Sequence, residues 1–312
     1  MKSSDKAIDA MTTWPVARRM RFATLRSAGL AVALSLLAQV AFAQQHFDTA
    51  QDGMRAFGQA VLVDDQAALT QMLGDDFRAI VPPVGDAARE TFIRAWNVSH
   101  MVRMTNGHAL IVVGDNGWSL PVPLVKRATG WQFDTQAGLQ EMRVRRIGRN
   151  ELSAMQTLLA IRDAQADYAE TTHDGEKLLV YASKLASSPG KHDGLYWPTA
   201  PNEPPSPLGE AFRDANRPNQ GEDGYNGYRF KLLTAQGKHA QSGALDYVVD
   251  GKLFGGFAVI AWPVRYGDTG VMTFMVNHLG IVYERNLGPQ TDMKASGTQT
   301  FDPAPGWRRV AP

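Results

Sequence analysis

Residues 148–170 read GRNELSAMQTLLAIRDAQADYAE, and the reading of this stretch decides the architecture. Asn150 is a good N-cap, Gly148 precedes it, and the apolar spacing that follows predicts a helix from Glu151 to about Glu170. On a helical wheel Leu152, Met155, Leu158, Leu159, Ile161 and Tyr168, with Ala154, Ala166 and Ala169, spread over an arc of roughly 200°, interrupted by Arg162 and Gln165. A surface helix needs a stripe about half that wide. The width predicts cover on two sides, with Leu152, Met155 and Leu159 toward one layer and Leu158, Ile161 and Tyr168 toward another. The expected class is therefore α+β: helices over a curved antiparallel sheet, then this long central helix packed on a second antiparallel sheet.

Upstream, Met54, Phe57, Val61 and Leu62 fall on one face of a helix between Thr49 and Leu62. Asp64 or Asp65 then caps a short helix carrying Ala68, Leu69, Met72 and Leu73, which Gly74 closes. A third helix fits 87–100, with Phe92, Ile93 and Trp96 inward. After Gly107 the period changes, and HALIVV (108–113), SLPVPLVK (119–126) and GWQFD (130–134) read as strands. Pro121 and Pro123 share one hydrogen-bonding edge, which suits an edge strand. Element order over about residues 46–140 resembles the cone-shaped α+β proteins like nuclear transport factor 2. Many such cones hold a small-molecule pocket and many hold packed side chains; the spacing of Trp96, Trp118 and Trp131 favours core over pocket.

Downstream, Pro189, Pro198, Pro201, Pro204, Pro205 and Pro207 exclude helix and central strand from 187–209, so the Pro/Gly-rich segment 187–224 is expected as a surface loop, pinned by Tyr196 and Trp197. Strands are expected at 228–234, 244–249, 253–263, 271–277 and 281–284, with a hairpin turn at Asp250-Gly251. They predict a sheet of four or five antiparallel strands against the central helix. The resulting division is 1–43, 44–147, 148–186, 187–224 and 225–312.

Residues 1–43 read as an export signal. Arg18, Arg19, Arg21 and Arg26 precede the apolar run AGLAVALSLLAQVAF (28–42), and Ala41-Phe42-Ala43 is an A-x-A cleavage site ahead of Gln44. The run is shorter than the roughly 20 residues a membrane span needs. A periplasmic or secreted mature chain is expected, translation starting at Met1, Met11 or Met20, with no later membrane span. Removal of 1–43 leaves 26 Lys+Arg against 29 Asp+Glu, a net charge of −3. Such a balance argues against nucleic acid as a partner. With no cysteine in the chain, disulfides, thiol nucleophiles and cysteine-held metals are excluded.

The helix after Asn150 and the block 257–283, two strands and a glycine-rich turn ending in Gly280-Ile281-Val282-Tyr283, resemble a pilin-like headpiece, although no prepilin-type spine leads into the helix. Over the whole mature length IGRNEL (147–152), SSPGKHDGLYWP (187–198), PPSPLG (204–209), GYRFKLLTAQG (227–237) and GGFAVIAWPVRYGDTGVMTFMVN (255–277) resemble the bacterial family known as domain of unknown function 2950. That resemblance implies a secreted protein and supplies no catalytic residues.

Chemistry is sparse. The seven histidines, His46, His100, His108, His173, His192, His239 and His278, include no i, i+4 pair and no H-x-H. Phosphate-cradling, dinucleotide and nucleophile-elbow motifs are absent from the sequence. No metal, cofactor or catalytic residue is expected. His192-Asp193 could meet Asn277-His278, though solvated turns explain both. Arg143, Arg145, Arg146 and Arg149 could grip an anion by bidentate hydrogen bonds, and carboxylate pairing or solvation is the favoured alternative. Candidate ligand or partner contacts are Trp262, Arg265, Tyr266 and Asp268 in a turn after a long strand, and His192, Asp193, Tyr196 and Trp197 in the proline-rich loop. The expected role is a non-catalytic exported envelope protein acting in binding or assembly, with an unknown envelope protein or small ligand as partner. The alternatives are a small-molecule binder or enzyme using the cone pocket, and a pilin-like appendage or secretion component.

Overall fold

Capping explains the first helices of the computed structural model, which describes residues 44–213 and 223–312. The export-signal reading falls on 1–43, outside the described residues. Thr49 Oγ1 accepts the Asp52 amide and opens α1 (Ala50–Val63). Asp64 turns left-handed at φ 55°, Asp65 accepts the Ala68 amide to start α2 (Gln66–Leu73), and Gly74 ends it. Asp86 caps α3 (Ala87–Val98).

That third helix stops short of its expected end. Ser99 is extended, and β1 (His100–Thr105) pairs antiparallel with β2 (His108–Val113) across Asn106-Gly107, both at positive φ. An Asn-Gly turn between two strands is the usual hairpin signal, and the strand before it was not expected. The sheet continues through β4 (Leu124–Arg127) and β5 (Gly130–Phe133) in the order β1-β2-β4-β5, with β3 (Trp118–Ser119) also on β2. The two prolines are not on an edge strand. Val112 faces Ser119 while Ala109 faces Leu124, so the segment containing Pro121 and Pro123 carries two residues more than its partner and bulges out of the ladder. Lacking amide hydrogens, the prolines cost no ladder bond there. Leu120 and Val122, both buried, fill the first core with Phe57, Ile111, Leu124 and Phe133.

The central helix is longer than expected. Asp134 accepts the Ala137 amide, and α4 runs over Thr135–Tyr168, 34 residues, with Asn150 inside it rather than capping it. Gly138 lets its first turn lie against the proline bulge, where a Cβ would come within 2.4 Å of Val122. From Ala154 onward its buried residues Leu158, Ile161, Ala164 and Tyr168 belong to a second core. Cover on two sides does not occur: Leu152 is 43% exposed, and Met155 and Leu159 are half-buried against that same second core.

The element covered on both faces is the C-terminal sheet. It comprises β8 (Tyr228–Leu233), β13 (Ala258–Pro263), β14 (Thr273–Asn277), β15 (Val282–Arg285) and β17 (Arg308–Val310), antiparallel in the order β17-β15-β14-β13-β8. Every residue of β13 and β14 is buried. Val259, Ala261, Phe274 and Val276 face the second core and α4, whereas Ala258, Ile260, Trp262 and Met275 face a third. The alternation is the strand period of two, with both faces apolar. The third core is closed by α5 (Thr291–Gly297) through Ala295, by Phe301 of β16 (Thr300–Phe301) and by Tyr247, a layer that the strand pattern alone did not predict. Two short hairpin pieces and a ladder edge complete it: β9 (Ala235–Gln236), β10 (Leu245–Asp246), β11 (Val248–Val249) and β12 (Lys252–Leu253).

The proline-rich segment is not wholly a surface loop. Gly194–Tyr196 (β7) pairs in parallel with Lys184–Ala186 (β6), and Leu195, Tyr196, Leu208 and Phe212 are buried in the second core. Its residues 214–222 lie outside the described residues. Among the described residues no helix is long and apolar enough to cross a membrane.

Candidate functional site

Beside the first core, α1, α3, the proline bulge and the first half of α4 leave a cleft of about 280 Å³ between them. Phe57, Phe92, Trp118, Leu120 and Met142 form its walls, and the rings meet edge to face, Phe57–Phe92 at 5.9 Å and Phe92–Trp118 at 6.3 Å. Its volume lies just below the usual range for small-molecule sites, about 300–1,000 Å³.

The charged groups of the lining are Arg89, Arg145 and Arg149, and no carboxylate lines it. Arg89 is 3% exposed. Its guanidinium donates to Asp64 Oδ1 (2.8 Å), Pro82 O (3.1 Å) and Val61 O (2.5 Å), so this buried charge is fully partnered. The hydrogen bond from Arg89 holds the Asp64 carboxyl below its ordinary range. Arg145 donates to Ser119 O (2.7 Å), Ser119 Oγ (3.1 Å) and Glu141 (2.8 Å), with its guanidinium 6.0 Å from the Trp118 ring centroid. Arg149, one turn further along the same face of α4, is exposed and its side chain has no hydrogen bond or ion pair among the described residues. The arginine cluster read from the sequence is thereby divided: Arg145 and Arg146 are paired, Arg149 is open, and Arg143 is exposed beside Asp268.

The turn residues serve the joint between sheet and helix. Trp262 is buried in the third core and its indole N–H donates to Asp292 (2.8 Å). Arg265 donates to Asp268 (2.9 Å), and Arg146 of α4 pairs with the same carboxylate. The hydrogen bond from Arg265 is the main reason the Asp268 carboxyl lies below its ordinary range. Asn150 donates to Thr269 O (2.9 Å), and Glu151 accepts the amides of Val271 and Met272 (2.9 Å each). Tyr266 points elsewhere and donates to Asn286 (3.1 Å). Arg265 and Asp268 come together; Trp262 and Tyr266 meet different partners.

The loop residues gather at the far end of α4, around a polar cleft of about 530 Å³. Tyr168 stacks on His173 at 3.8 Å and donates to His192 O (2.5 Å), and burial, with Asp174 and Asp193 nearby, pushes its hydroxyl up to about 12. The His192 amide donates to the Asp174 carboxylate (2.9 Å), and its ring lies edge-on to Trp197 at 4.7 Å. Asp193 accepts from the Ser188 amide (2.7 Å) and from Lys184 (2.8 Å); burial works against its charge, but these bonds prevail and hold it below the usual range. Glu176 pairs with Lys252. Tyr196 is buried below them. His278 belongs to another neighbourhood, against Tyr247 and Phe257 at 5.8 and 6.3 Å, with Nδ1 buried and unpartnered. Among the described residues no three His, Asp or Glu side chains gather as a metal would require.

The sequence reading omitted Arg89, Phe92 and Met142 as site residues and placed Trp118 by preference in the core. A helix start at Asp134-Thr135 would have aligned Met142, Arg145 and Arg149 on one face. Comparison with known proteins adds a family without an activity. Neither the curated proteins nor the solved structures contain a match. One family model, described as "Protein of unknown function (DUF2950)", matches residues 44–310, and the chain belongs to that family.

Proposed function

We propose that the mature chain is an exported, non-catalytic binding protein whose small-molecule ligand occupies the apolar cleft beside α4. The observation that carries this reading is an aromatic-walled cavity lined by three arginines, two of them answered by Asp64 and Glu141 and the third, Arg149, unpartnered among the described residues. The lining is apolar and aromatic apart from its arginines, which suits binding of a small molecule. Export is supported by the basic and apolar run ending in Ala41-Phe42-Ala43. From Gln44 onward the chain is tied down, the Gln44 side chain donating to Met72 O and Phe133 O (2.6 Å each). The likeness to a transport-factor-type cone is supported by helices over an antiparallel sheet, and that to a pilin-like headpiece by one helix against five antiparallel strands.

The test uses an uncharged apolar reporter, N-phenyl-1-naphthylamine, with energy transfer from tryptophan as the signal. Saturable binding of one reporter per chain is expected, lost in Ala88→Trp, which fills the cleft from α3. Equal binding by both proteins, with unchanged circular dichroism, refutes the site.

A further inference from the structure

We infer that the ligand is a monoanion with an apolar body, a short aliphatic or aromatic carboxylate, whose carboxylate is read by Arg149 while its body lies against Phe92 and Trp118. This rests on the cleft being the ligand site. Charge sets the class: of the three guanidinium groups in the lining, Asp64 answers Arg89 and Glu141 answers Arg145, so the unanswered charge is that of Arg149, which repels a cationic ligand and favours an anionic one. Commitment sets the valence. Arg89 donates to Asp64 and two carbonyls, and Arg145 is occupied by Ser119 and Glu141. Arg149 keeps its whole donor fork free among the described residues, and that fork matches one carboxylate bidentately.

Arg149 stands one turn beyond Arg145 on α4, whose own charge Glu141 already answers, so the carboxylate contact falls to Arg149. On an open surface such a contact would contribute little. Here the ligand's own body would exclude water from the Trp118 side of the mouth, which strengthens the charge-assisted bond. The cleft's 280 Å³ limits the body to a short chain or two to three rings, the size of the naphthylamine reporter.

The probes are octanoate and 1-octanol, alike in body and different in charge, titrated against tryptophan fluorescence and by calorimetry in low salt. Octanoate is expected to bind at least ~10-fold tighter than octanol, with the preference abolished in Arg149→Ala and partly kept in Arg149→Lys. If octanol binds as well as octanoate, or the preference survives Arg149→Ala, the anion inference is overturned while the cleft remains. If the naphthylamine reporter binds and neither octyl probe does, the inference is likewise overturned. If neither the reporter nor the octyl probes bind, the cleft itself falls.

Discussion

The two halves of α4 stand beside two clefts that treat charge in opposite ways. Along its first half the walls are apolar and Arg149 is left open. At its far end the cleft is polar, yet its carboxylates are engaged: Asp174 by the His192 amide, Glu176 by Lys252, Asp193 by Ser188 and Lys184. Packing divides in the same sense, with Leu158, Ile161 and Tyr168 fully buried in the second half and only Gly138 buried in the first. A closed polar network rigidifies and specifies a fold, whereas the solvated guanidinium of Arg149 keeps its donors available to a ligand. On this contrast the larger cleft is read as architecture, and the smaller one is the proposed site.

Core truncation tests the packing contrast most severely. Leu158→Ala and Ile161→Ala should each cost about 2–5 kcal/mol in urea unfolding, whereas Leu152→Ala should stay within about 0.5 kcal/mol. A comparable loss at Leu152 would restore two-sided cover of the helix. Of intermediate size is Gly138→Val, which drives side-chain atoms into Val122 of the proline bulge and should cost about 1–3 kcal/mol. Because that contact sets how α4 lies against the cleft, the variant should also lose naphthylamine binding; unchanged binding would separate the helix from the site.

The smallest effect concerns the charges. Asp193→Asn should lower stability at neutral pH by about 1 kcal/mol without changing ligand affinity, and Arg149→Ala should do the reverse. The sign with pH follows from the lowered Asp193 carboxyl. Its stabilisation is present above the unfolded value, 3.8, and is lost as pH falls through the lower folded value, so wild type and Asp193→Asn should converge below that range. Denaturation midpoints from pH 7 down to pH 2 check this, and a difference that persists in acid would assign the effect to packing rather than charge.

Caps and strand runs were legible in the sequence because they are short-range. Asp65 with Ala68 involves neighbours three residues apart, and β13 and β14 are each contiguous apolar runs bounded by turn residues. The start of α4 was equally local at Asp134, but the stronger apolar pattern after Asn150 drew the boundary downstream. The strand β1 likewise had its Asn106-Gly107 signal, overridden by the helical spacing before it. Family membership and the lack of cysteine also come from the sequence by itself.

Tertiary structure alone decided which faces are covered and which charges are answered. Val259 and Ile260 look alike in sequence, yet they enter different cores because α4 covers one face of the sheet and α5 with Phe301 the other. Arg146 and Arg149 belong to one cluster and part company because Asp268, 122 residues further along, reaches the first and nothing described reaches the second. Local pattern states that a side chain is apolar or charged; its partner is set by which distant segment packs beside it. That is why the candidate site, built from α1, α3, the proline bulge and α4, was visible only once those segments were folded together.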